Sequence, residues 1–359
     1  MAVKAEHGEK GRSSADEDLR KLLEARRAVI KVAGVGGAGN NTISRMMQVG
    51  IIGAEVVAVN TDAQDLLYTD ADQKILIGKE LTRGLGAGAD PHVGEEAAKE
   101  SRDDLKEAMA GSDMVFITCG LGGGTGTGAA PVVAEVAKKA GALTVGVVTL
   151  PFMMEGKGRM DNAKAGLEKL QNVVDTLIVI PNDKLLEIVP DVSIATAFKV
   201  CDEILVNAVK GVAELVTKPG LVNLDFADIK AVMGAGGIAM IGLGESDSEN
   251  RALEAVEKAL NNPLLDVEID GATGALINVC GGSDVTIKEC QQIVEAVSCK
   301  LSTDAKIIWG AQIDKEMGDN VRAMLIITGV KSGQLTGPIK PFNKAKSREF
   351  EKILGIDFV

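Results

Sequence analysis

Short apolar runs alternate with stretches of helical periodicity through the first half of the chain. The apolar runs predict strands, and the stretches in which apolar residues recur at every third or fourth position predict helices. The predicted strands are 28–33, 56–60, 74–77, 114–118, 143–150 and 176–180, and the predicted helices are 41–48, 95–110, 131–140 and 157–170. Strands that alternate with helices and are apolar along their whole length are typical of a parallel sheet covered on both faces.

A long helical pattern follows at 193–217, and the sequence KPG directly after it predicts where the helix ends. A second set of elements comes next. Its predicted strands are 238–243, 275–280, 306–312 and 323–328, and its predicted helices are 249–260 and 286–301. This order predicts a connecting helix between a parallel-sheet domain and a smaller α+β domain.

The length of 359 residues exceeds what a single hydrophobic core usually supports, so two domains are expected. We assign 28–192 to the first domain, 193–217 to the connecting helix and 218–330 to the second domain. Residues 1–27 are charged and predict a disordered arm. Residues 331–359 combine prolines, glycines and lysines, and predict a linker with a C-terminal peptide.

The composition excludes several classes of function. A net charge of −12 argues against a nucleic-acid partner and against direct binding to anionic lipid. Five cysteines without CxxC spacing indicate reduced thiols in a cytoplasm, and two histidines, His7 and His92, are too few and too far apart for a metal site. The polar N-terminus does not resemble a signal peptide, and no apolar run is long enough for a membrane span.

The sequence GGGTGTG at 122–128 directly follows a predicted strand. Glycines let backbone N–H groups turn toward an anion, and a helix that begins behind them directs its positive dipole end to the same point. The string therefore predicts a phosphate-binding segment, and the alternative is a tight turn without a ligand. The candidate residues are Gly123, Gly124, Thr125, Gly126, Thr127 and Gly128.

A second glycine-rich segment, GVGGAG at 34–39, follows the first predicted strand and matches GxGxxG. With Asp62 after the next strand, it allows a nicotinamide-dependent oxidoreductase as an alternative. Two glycine segments at the ends of neighbouring strands favour a longer polyphosphate, and GxxxxGK[ST] is absent, so backbone donors rather than a P-loop lysine would hold it. The candidate residues are Gly36, Gly37, Ala38, Gly39, Asn40 and Asn41.

These segments resemble the tubulin/FtsZ family of polymerising GTPases, and FtsZ in particular. Further matches follow in family order at 84–91, 151–159 (PFMMEGKGR), 181–183 (PND) and 223–228 (NLDFAD), so that the resemblance covers about 29–330. The details are closer to archaeal FtsZ than to tubulin. The resemblance implies a tubulin/FtsZ-like α/β fold, in which a Rossmann-like parallel-sheet GTPase domain is joined by a long central helix to a smaller α+β domain.

The resemblance also implies that GTP or GDP is the ligand, and it assigns roles around it. The amides of Ala87, Gly88 and Ala89 would contact the terminal phosphate. Glu155 would bind the ribose hydroxyls, and Arg159 would reach the ribose or a phosphate. From the residues alone, an exposed ion pair at the start of a helix is the favoured interpretation of Glu155 and Arg159, because such pairs are common on protein surfaces.

On the base side, the resemblance implies that Asn182 contacts the sugar or base, that the ring of Phe198 stacks on guanine, and that Asp202 accepts from the two adjacent donors of guanine. From the residues alone, Phe198 is equally a core side chain. Cys201 stands where many FtsZ sequences have Asn, which leaves one hydrogen bond to the base or ribose in question.

Asn223, Asp225 and Asp228 match the family's synergy loop, which implies that they complete the active site of the next subunit in a filament. From the residues alone, they are helix-capping groups. The resemblance thus implies assembly-dependent hydrolysis of GTP, with Mg²⁺ carried with the nucleotide. The alternatives are a relative that binds nucleotide without hydrolysing it and a paralogue that shapes cells.

The same resemblance implies partners and a location. The partner is a second copy of the chain, stacked head to tail into filaments of a cell-division ring in the cytoplasm at mid-cell. The C-terminal sequence ILGIDFV at 353–359 faintly resembles the tail peptide that docks on membrane-anchoring division proteins, and the alternative is a frayed terminus.

Overall fold

A ten-stranded sheet flanked by helices is the main element of the fold. The computed structural model describes residues 28–184, 194–217, 225–234, 237–261, 267–269 and 271–332. The predicted arm at 1–27, the predicted peptide at 353–359 and Asn223 lie outside the described residues.

The strands are numbered in chain order. Strands β1 to β6 are Ile30–Val35, Ala54–Asn60, Gln73–Leu76, Met114–Gly120, Leu143–Leu150 and Thr176–Pro181. Strands β7 to β12 are Gly237–Ser246, Val267–Glu268, Gly274–Gly281, Lys306–Ile313, Val321–Thr328 and Lys331–Ser332.

The α-helices are numbered in the same way. Helices α1 to α6 are Gly36–Val49, Ala63–Tyr68, Lys79–Thr82, Pro91–Glu100, Arg102–Met109 and Thr125–Lys139. Helices α7 to α11 are Lys157–Gln171, Ile194–Thr217, Phe226–Met233, Arg251–Leu260 and Ile287–Ser298. Short 3-10 helices lie at Met153–Glu155 and Lys315–Met317.

The strand order is β10-β9-β11-β7-β6-β5-β4-β1-β2-β3, and it divides the sheet into two parts. The six strands from β6 to β3 are all parallel. Strand β11 runs antiparallel to β7 and β9, while β10 is parallel to β9. The two parts meet where β6 and β7 pair in parallel, from Thr176 with Gly237 to Ile178 with Ala239. A parallel sheet joined to a smaller mixed sheet is the predicted fold class, which is confirmed.

Helix α8 is buried between the two parts of the molecule, as the predicted connecting helix requires. Its Val200 and Ile204 belong to a hydrophobic cluster that also contains Leu276 and Met324 of the second part. At Gly211 the helix approaches so closely that an added Cβ would lie 2.2 Å from the sulfur of Met324. The helix has 24 residues, so it spans about 36 Å.

The two ends of α8 lie at opposite edges of the parallel sheet. Near its start, Asp202 accepts a hydrogen bond from Thr42, which lies in α1 directly behind the carboxyl end of β1. The last residue of α8, Thr217, donates to the carbonyl oxygen of Ile52, just before β2 begins. Because β1 and β2 are parallel, α8 runs from the carboxyl edge of the sheet to its amino edge.

Some element boundaries differ from the predictions. The single helix predicted at 95–110 is two helices, because the backbone of Ser101 leaves the helical conformation and its hydroxyl accepts the N–H of Gly78. Helix α6 begins at Thr125, whereas the predicted helix began at 131. The prediction missed these first residues because they include glycines and threonines, whose helix propensity is weak. The second half of the glycine string at 122–128 is therefore helical. Helices α2 and α3 have no counterpart among the predicted elements.

Helices α4 and α6 pack closely because glycines lie at their contact. A Cβ on Gly128 would lie 1.9 Å from the carbonyl oxygen of Pro91, and a Cβ on Gly94 would lie 2.4 Å from that of Gly124. These distances are far below van der Waals contact, so the glycines let α4 lie directly against the start of α6.

Gly128→Ala is expected to lower the free energy of unfolding by about 2 kcal/mol, since the two helices must separate to admit a methyl group. Gly158→Ala in α7 is the matched control, because its Cβ would have no heavy atom within 4 Å. Urea unfolding of both variants measures the difference. Equal stabilities of the two variants would contradict the close packing of α4 and α6.

Candidate functional site

Two glycine segments meet at the carboxyl edge of the parallel sheet. Strands β1 and β4 are neighbours, and each ends in one of these segments. Gly36 has a φ of 73°, and a Cβ there would lie 2.7 Å from the backbone nitrogen of Gly126. A residue with a side chain at position 36 would be strained by this left-handed φ and would clash with Gly126, so this position requires glycine. The predicted juxtaposition of the two segments is therefore present.

Helices α1 and α6 both begin at this meeting point, and neither has an acidic residue in its first turn. The capping residues, Val35 and Gly124, have no polar side chain that could accept a hydrogen bond from the first N–H groups of these helices. The free N–H groups and the positive dipole ends of both helices therefore face the same edge. A backbone surface of this kind suits a polyphosphate, because the donors are fixed before any anion arrives.

The candidate residues of the two glycine segments differ in their exposure to solvent. Gly37, Ala38 and Asn41 are exposed, and Gly123 and Thr125 are half-buried. The other candidate residues of the two segments are buried: Gly36, Gly39, Asn40, Gly124, Gly126, Thr127 and Gly128. The hydroxyl of Thr127, for example, accepts the N–H of Gly122 at 2.8 Å inside the molecule.

The two asparagines that continue the first segment have different surroundings. Asn40 is buried and donates through its Nδ2 to the carboxylate of Asp65 at 3.2 Å, while Asn41 is exposed. The same carboxylate accepts from Asn60 at 2.6 Å.

Asp62 caps helix α2 by accepting the N–H of Gln64. The acid that an oxidoreductase would need for a ribose is thus engaged with the backbone.

The segment 84–91 lies against the glycine string. Ala87 is buried, and a Cβ on Gly124 would lie 2.8 Å from its methyl group. Gly88 and Ala89 are exposed and have φ values of 58° and 62°. Asn162 of α7 donates to the carbonyl oxygen of Ala89 at 3.4 Å. The backbone of this segment is therefore held beside the start of α6, where the terminal phosphate is predicted.

Glu155 and Arg159 lie beyond the carboxyl end of β5 and pair with each other. Glu155 also accepts the N–H of Phe152 at 2.9 Å, which fixes one of its oxygens, whereas the guanidinium of Arg159 is exposed. The ion pair that the residues alone allow is therefore present. It lies on the same edge of the sheet as the glycine segments, so it does not conflict with a ribose-binding role.

The residues after β6 reach the same region. Asp183 accepts the N–H of Met153 at 3.0 Å, which ties this segment to the one after β5. Asn182 is buried, and its Oδ1 accepts no hydrogen bond from the described part of the chain. A buried amide oxygen of this kind is usually paired, so its partner is expected to come from outside the described residues.

Phe198 is 44% exposed, so the interpretation as an ordinary core residue is wrong. Its ring packs edge-on against that of Phe152, with the centroids 5.3 Å apart. An exposed ring beside the candidate ribose residues offers a free face for stacking on a flat ligand. Cys201, by contrast, is buried in the core, and burial raises the pKa of its thiol to about 12.

Asp202 is the half-buried carboxylate of this site. Burial raises its pKa from an ordinary value near 3.8 to about 6, against the opposing effects of a hydrogen bond from Thr42 and of the charge of Arg45. The bond from Thr42 Oγ1 to Asp202 Oδ1 measures 2.9 Å. A carboxylate held in this way, one helical turn from Phe198, can accept hydrogen bonds from a stacked base.

Asp225 and Asp228 lie elsewhere. Both are exposed at the start of α9, and Asp225 caps this helix by accepting the N–H of Ala227 at 3.2 Å. The carbonyl oxygen of Met233, at the other end of α9, accepts from Thr176, the first residue of β6. Helix α9 therefore lies at the amino edge of the parallel sheet. The structure brings the nucleotide candidates together and leaves this acidic pair at the opposite edge.

Several polar residues at the carboxyl edge were not among the predicted site residues. The hydroxyls of Thr61 and Thr125 lie 2.6 Å apart and link the end of β2 to the start of α6. Asp65 and Thr42 hold Asn40 and Asp202 as described above. The sequence does carry a signal for Thr61, since it belongs to a polar group, 60–62, that directly follows an apolar strand.

In the described ranges, no three His, Cys, Asp or Glu side chains lie close enough together to hold a metal ion. Across the same residues, no helix has both the length and the apolar character that crossing a membrane requires.

Two family models and several known proteins match this chain over most of its length. Residues 29–190 match the model of the Tubulin/FtsZ family, GTPase domain, and residues 237–331 match that of the FtsZ family, C-terminal domain. Cell division protein FtsZ 1 of Thermococcus kodakarensis is 66% identical over 320 residues, which cover 89% of this chain and 86% of the relative.

Two solved structures are also similar. An empty FtsZ dimer from M. jannaschii superposes with a TM-score of 0.84 at 60% identity, covering 92% of this chain and 100% of that one. The GDP-bound monomer of CetZ1 from Haloferax volcanii superposes with a TM-score of 0.74 at 26% identity, covering 91% and 98%. The chain is thus far more similar in sequence to the FtsZ proteins than to CetZ1.

Gly36→Ala is expected to lower the melting temperature and to weaken binding of GDP at least tenfold, because the methyl group strains the backbone and drives the two glycine segments apart. Gly50→Ala is the matched control, because Gly50 has a similar φ of 79°, lies outside the candidate site and would have no heavy atom within 4 Å of its Cβ. Thermal unfolding and fluorescent GDP titration measure both effects. If the two variants melt together, the contact between the segments is not required.

Proposed function

Because the chain belongs to the Tubulin/FtsZ family, with the GTPase domain and the FtsZ C-terminal domain in family order, we propose that it is a GTP-hydrolysing cytoskeletal protein of the cell-division ring. The GTPase domain of this family binds GTP and GDP. We propose that the subunits polymerise head to tail in the cytoplasm at mid-cell. High identity to proteins named for cell division supports this role.

The nucleotide is proposed to lie along the carboxyl edge of the parallel sheet. The backbone N–H groups of the two glycine segments and of 87–89 would hold the phosphates, and Glu155 and Arg159 would hold the ribose. The open helix ends support this, because their N–H groups have no capping side chain. Mg²⁺ is proposed to arrive with the nucleotide, where it would offset the charge of the phosphates.

The base is proposed to lie against Phe198 and to be read by Asp202, with Asn182 beside it. A carboxylate accepts only, so it selects a base that presents donors. Guanine presents two adjacent donors, its ring N–H and its amino group, whereas the same edge of adenine presents one amino donor beside an acceptor nitrogen. The half-buried position of Asp202 supports this role, because burial removes part of the hydration of the carboxylate and donors from a base would replace it.

Hydrolysis is proposed to need two subunits. The observation that carries this is the separation of the two sets of residues: Asp225 and Asp228 lie at the amino edge of the sheet and the nucleotide candidates at its carboxyl edge. A single chain cannot bring them together. A contact between opposite ends of two identical chains can, and when it does not close it produces a filament.

In that contact, the acidic pair and Asn223 would orient a water molecule against the terminal phosphate of the neighbouring subunit. We also propose that 353–359 docks on a membrane-anchoring division protein. Both Asn223 and this terminal segment lie outside the described residues, so their sequences alone support their roles.

Asp225→Ser tests whether Asp225 does more than cap α9. Serine caps helices about as well as aspartate, so the variant keeps the cap and loses the carboxylate. We expect unchanged melting and GDP binding, with GTP turnover reduced at least a hundredfold at every protein concentration. The wild-type protein, measured by phosphate release over a dilution series, should show specific activity that rises steeply above a threshold concentration.

Two results would contradict the shared site. Normal turnover by Asp225→Ser would reduce Asp225 to a cap, and wild-type specific activity that is flat with concentration would show that one subunit suffices. The control is Asp304→Asn, which removes an exposed carboxylate of the second domain outside α9 and should hydrolyse GTP normally.

The raised pKa of Asp202 predicts a pH dependence of base recognition. Its carboxylate takes up a proton as the pH falls through about 6, and a protonated carboxyl no longer accepts from guanine at both oxygens. GDP affinity is therefore expected to fall between about pH 7.5 and about pH 5.5, while that of Asp202→Asn stays low and flat. Calorimetric titration at several pH values measures both. The same decline in both proteins would assign the effect to another group.

A further inference from the structure

Helix α1 supports both the phosphate end and the base end of the candidate site. It begins at Gly36, in the first glycine segment, and Thr42 and Arg45 lie further along it on the face that meets α8. Thr42 is 1% exposed and donates to Oδ1 of Asp202, and Arg45 pairs with Glu203, the next residue of α8. The two bonds fix α1 against α8 at the position of the base-reading carboxylate.

We propose that Thr42 is a positioning residue for base selection: its hydroxyl orients the carboxylate of Asp202 so that guanine is bound in preference to other purines. The proposal rests on the proposed role of Asp202 in reading the base.

The geometry gives the hydroxyl little freedom. Thr42 Oγ1 lies 2.9 Å from Asp202 Oδ1 and 3.1 Å from the carbonyl oxygen of Ala38, four residues earlier in the same helix. A threonine in a helix is restricted about its first side-chain torsion, and contact with the earlier carbonyl selects one of its rotamers. Both neighbours are acceptors and the hydroxyl has one proton, and the shorter distance and the negative charge of Asp202 favour donation to its carboxylate before the nucleotide binds.

The carboxylate keeps most of its acceptor capacity. Oδ1 accepts the bond from Thr42, and Oδ2 accepts none from the described residues. A carboxylate has about four lone-pair positions, so enough remain for the two adjacent donors of guanine. The bond also favours the ionised form of Asp202 against burial, and only that form can accept from both donors.

Thr42→Val removes the hydroxyl and keeps the shape, Thr42→Ala is a second variant without it, and Thr42→Ser restores it. We expect Val and Ala to weaken GDP binding about tenfold and to leave ADP binding unchanged, so that GDP-over-ADP discrimination falls about tenfold. Ser should recover most of that discrimination. In GTP turnover, the loss should appear in KM rather than in kcat.

A double-mutant cycle with Asp202→Ala completes the test. If Thr42 acts through Asp202, Thr42→Val has no further effect on GDP binding in the Asp202→Ala background. Equal loss of GDP and ADP affinity in Thr42→Val, or failure of Ser to restore discrimination, would overturn the proposal. The proposed function fails differently, because Asp202→Ala would then keep normal GDP-over-ADP discrimination.

Discussion

Helix α8 sets the distance between the two ends of the molecule, and the proposed chemistry depends on that distance. The helix packs into a core that it shares with both parts of the sheet, so neither end can move independently. Its start is bonded to α1 at the carboxyl edge of the parallel sheet, and its last residue is bonded to the backbone before β2 at the amino edge. Helix α8, which is about 36 Å long, therefore runs between the edge that holds the nucleotide candidates and the edge that holds the acidic pair.

At the carboxyl edge, the binding surface is made mostly of backbone. Glycine at position 36 lets the ends of β1 and β4 approach until one segment touches the other, and the two helix ends then supply fixed donors. In the proposed site, side chains add selectivity at the other end, where an exposed ring and a half-buried carboxylate lie one turn apart on α8. In the proposed site, phosphate binding and base reading are carried by different elements, which α1 joins.

The sequence predicts most of this fold, because long apolar runs and a sustained helical period are strong signals. It misplaces the start of α6, since glycine and threonine are weak helix formers, and it misses the break at Ser101, which a distant contact with Gly78 stabilises. The glycine segments are found from sequence because their composition is unusual. Asp65 and Thr42 are missed, since their importance comes from residues 25 and 160 positions away, which no local pattern reveals.

Mixing two variants with complementary defects, at a GTP concentration far below the KM of Asp202→Ala, tests the central claim most directly. Asp225→Ser keeps the nucleotide end and loses the acidic pair, whereas Asp202→Ala keeps the acidic pair and loses base recognition. Phosphate release is measured for each variant alone and for an equal mixture at a concentration that supports assembly. The account predicts that the mixture hydrolyses GTP well above the sum of the two variants, because an intact nucleotide end then meets an intact acidic pair on the next subunit. Activity no greater than that sum, in filaments shown to contain both variants, would contradict it.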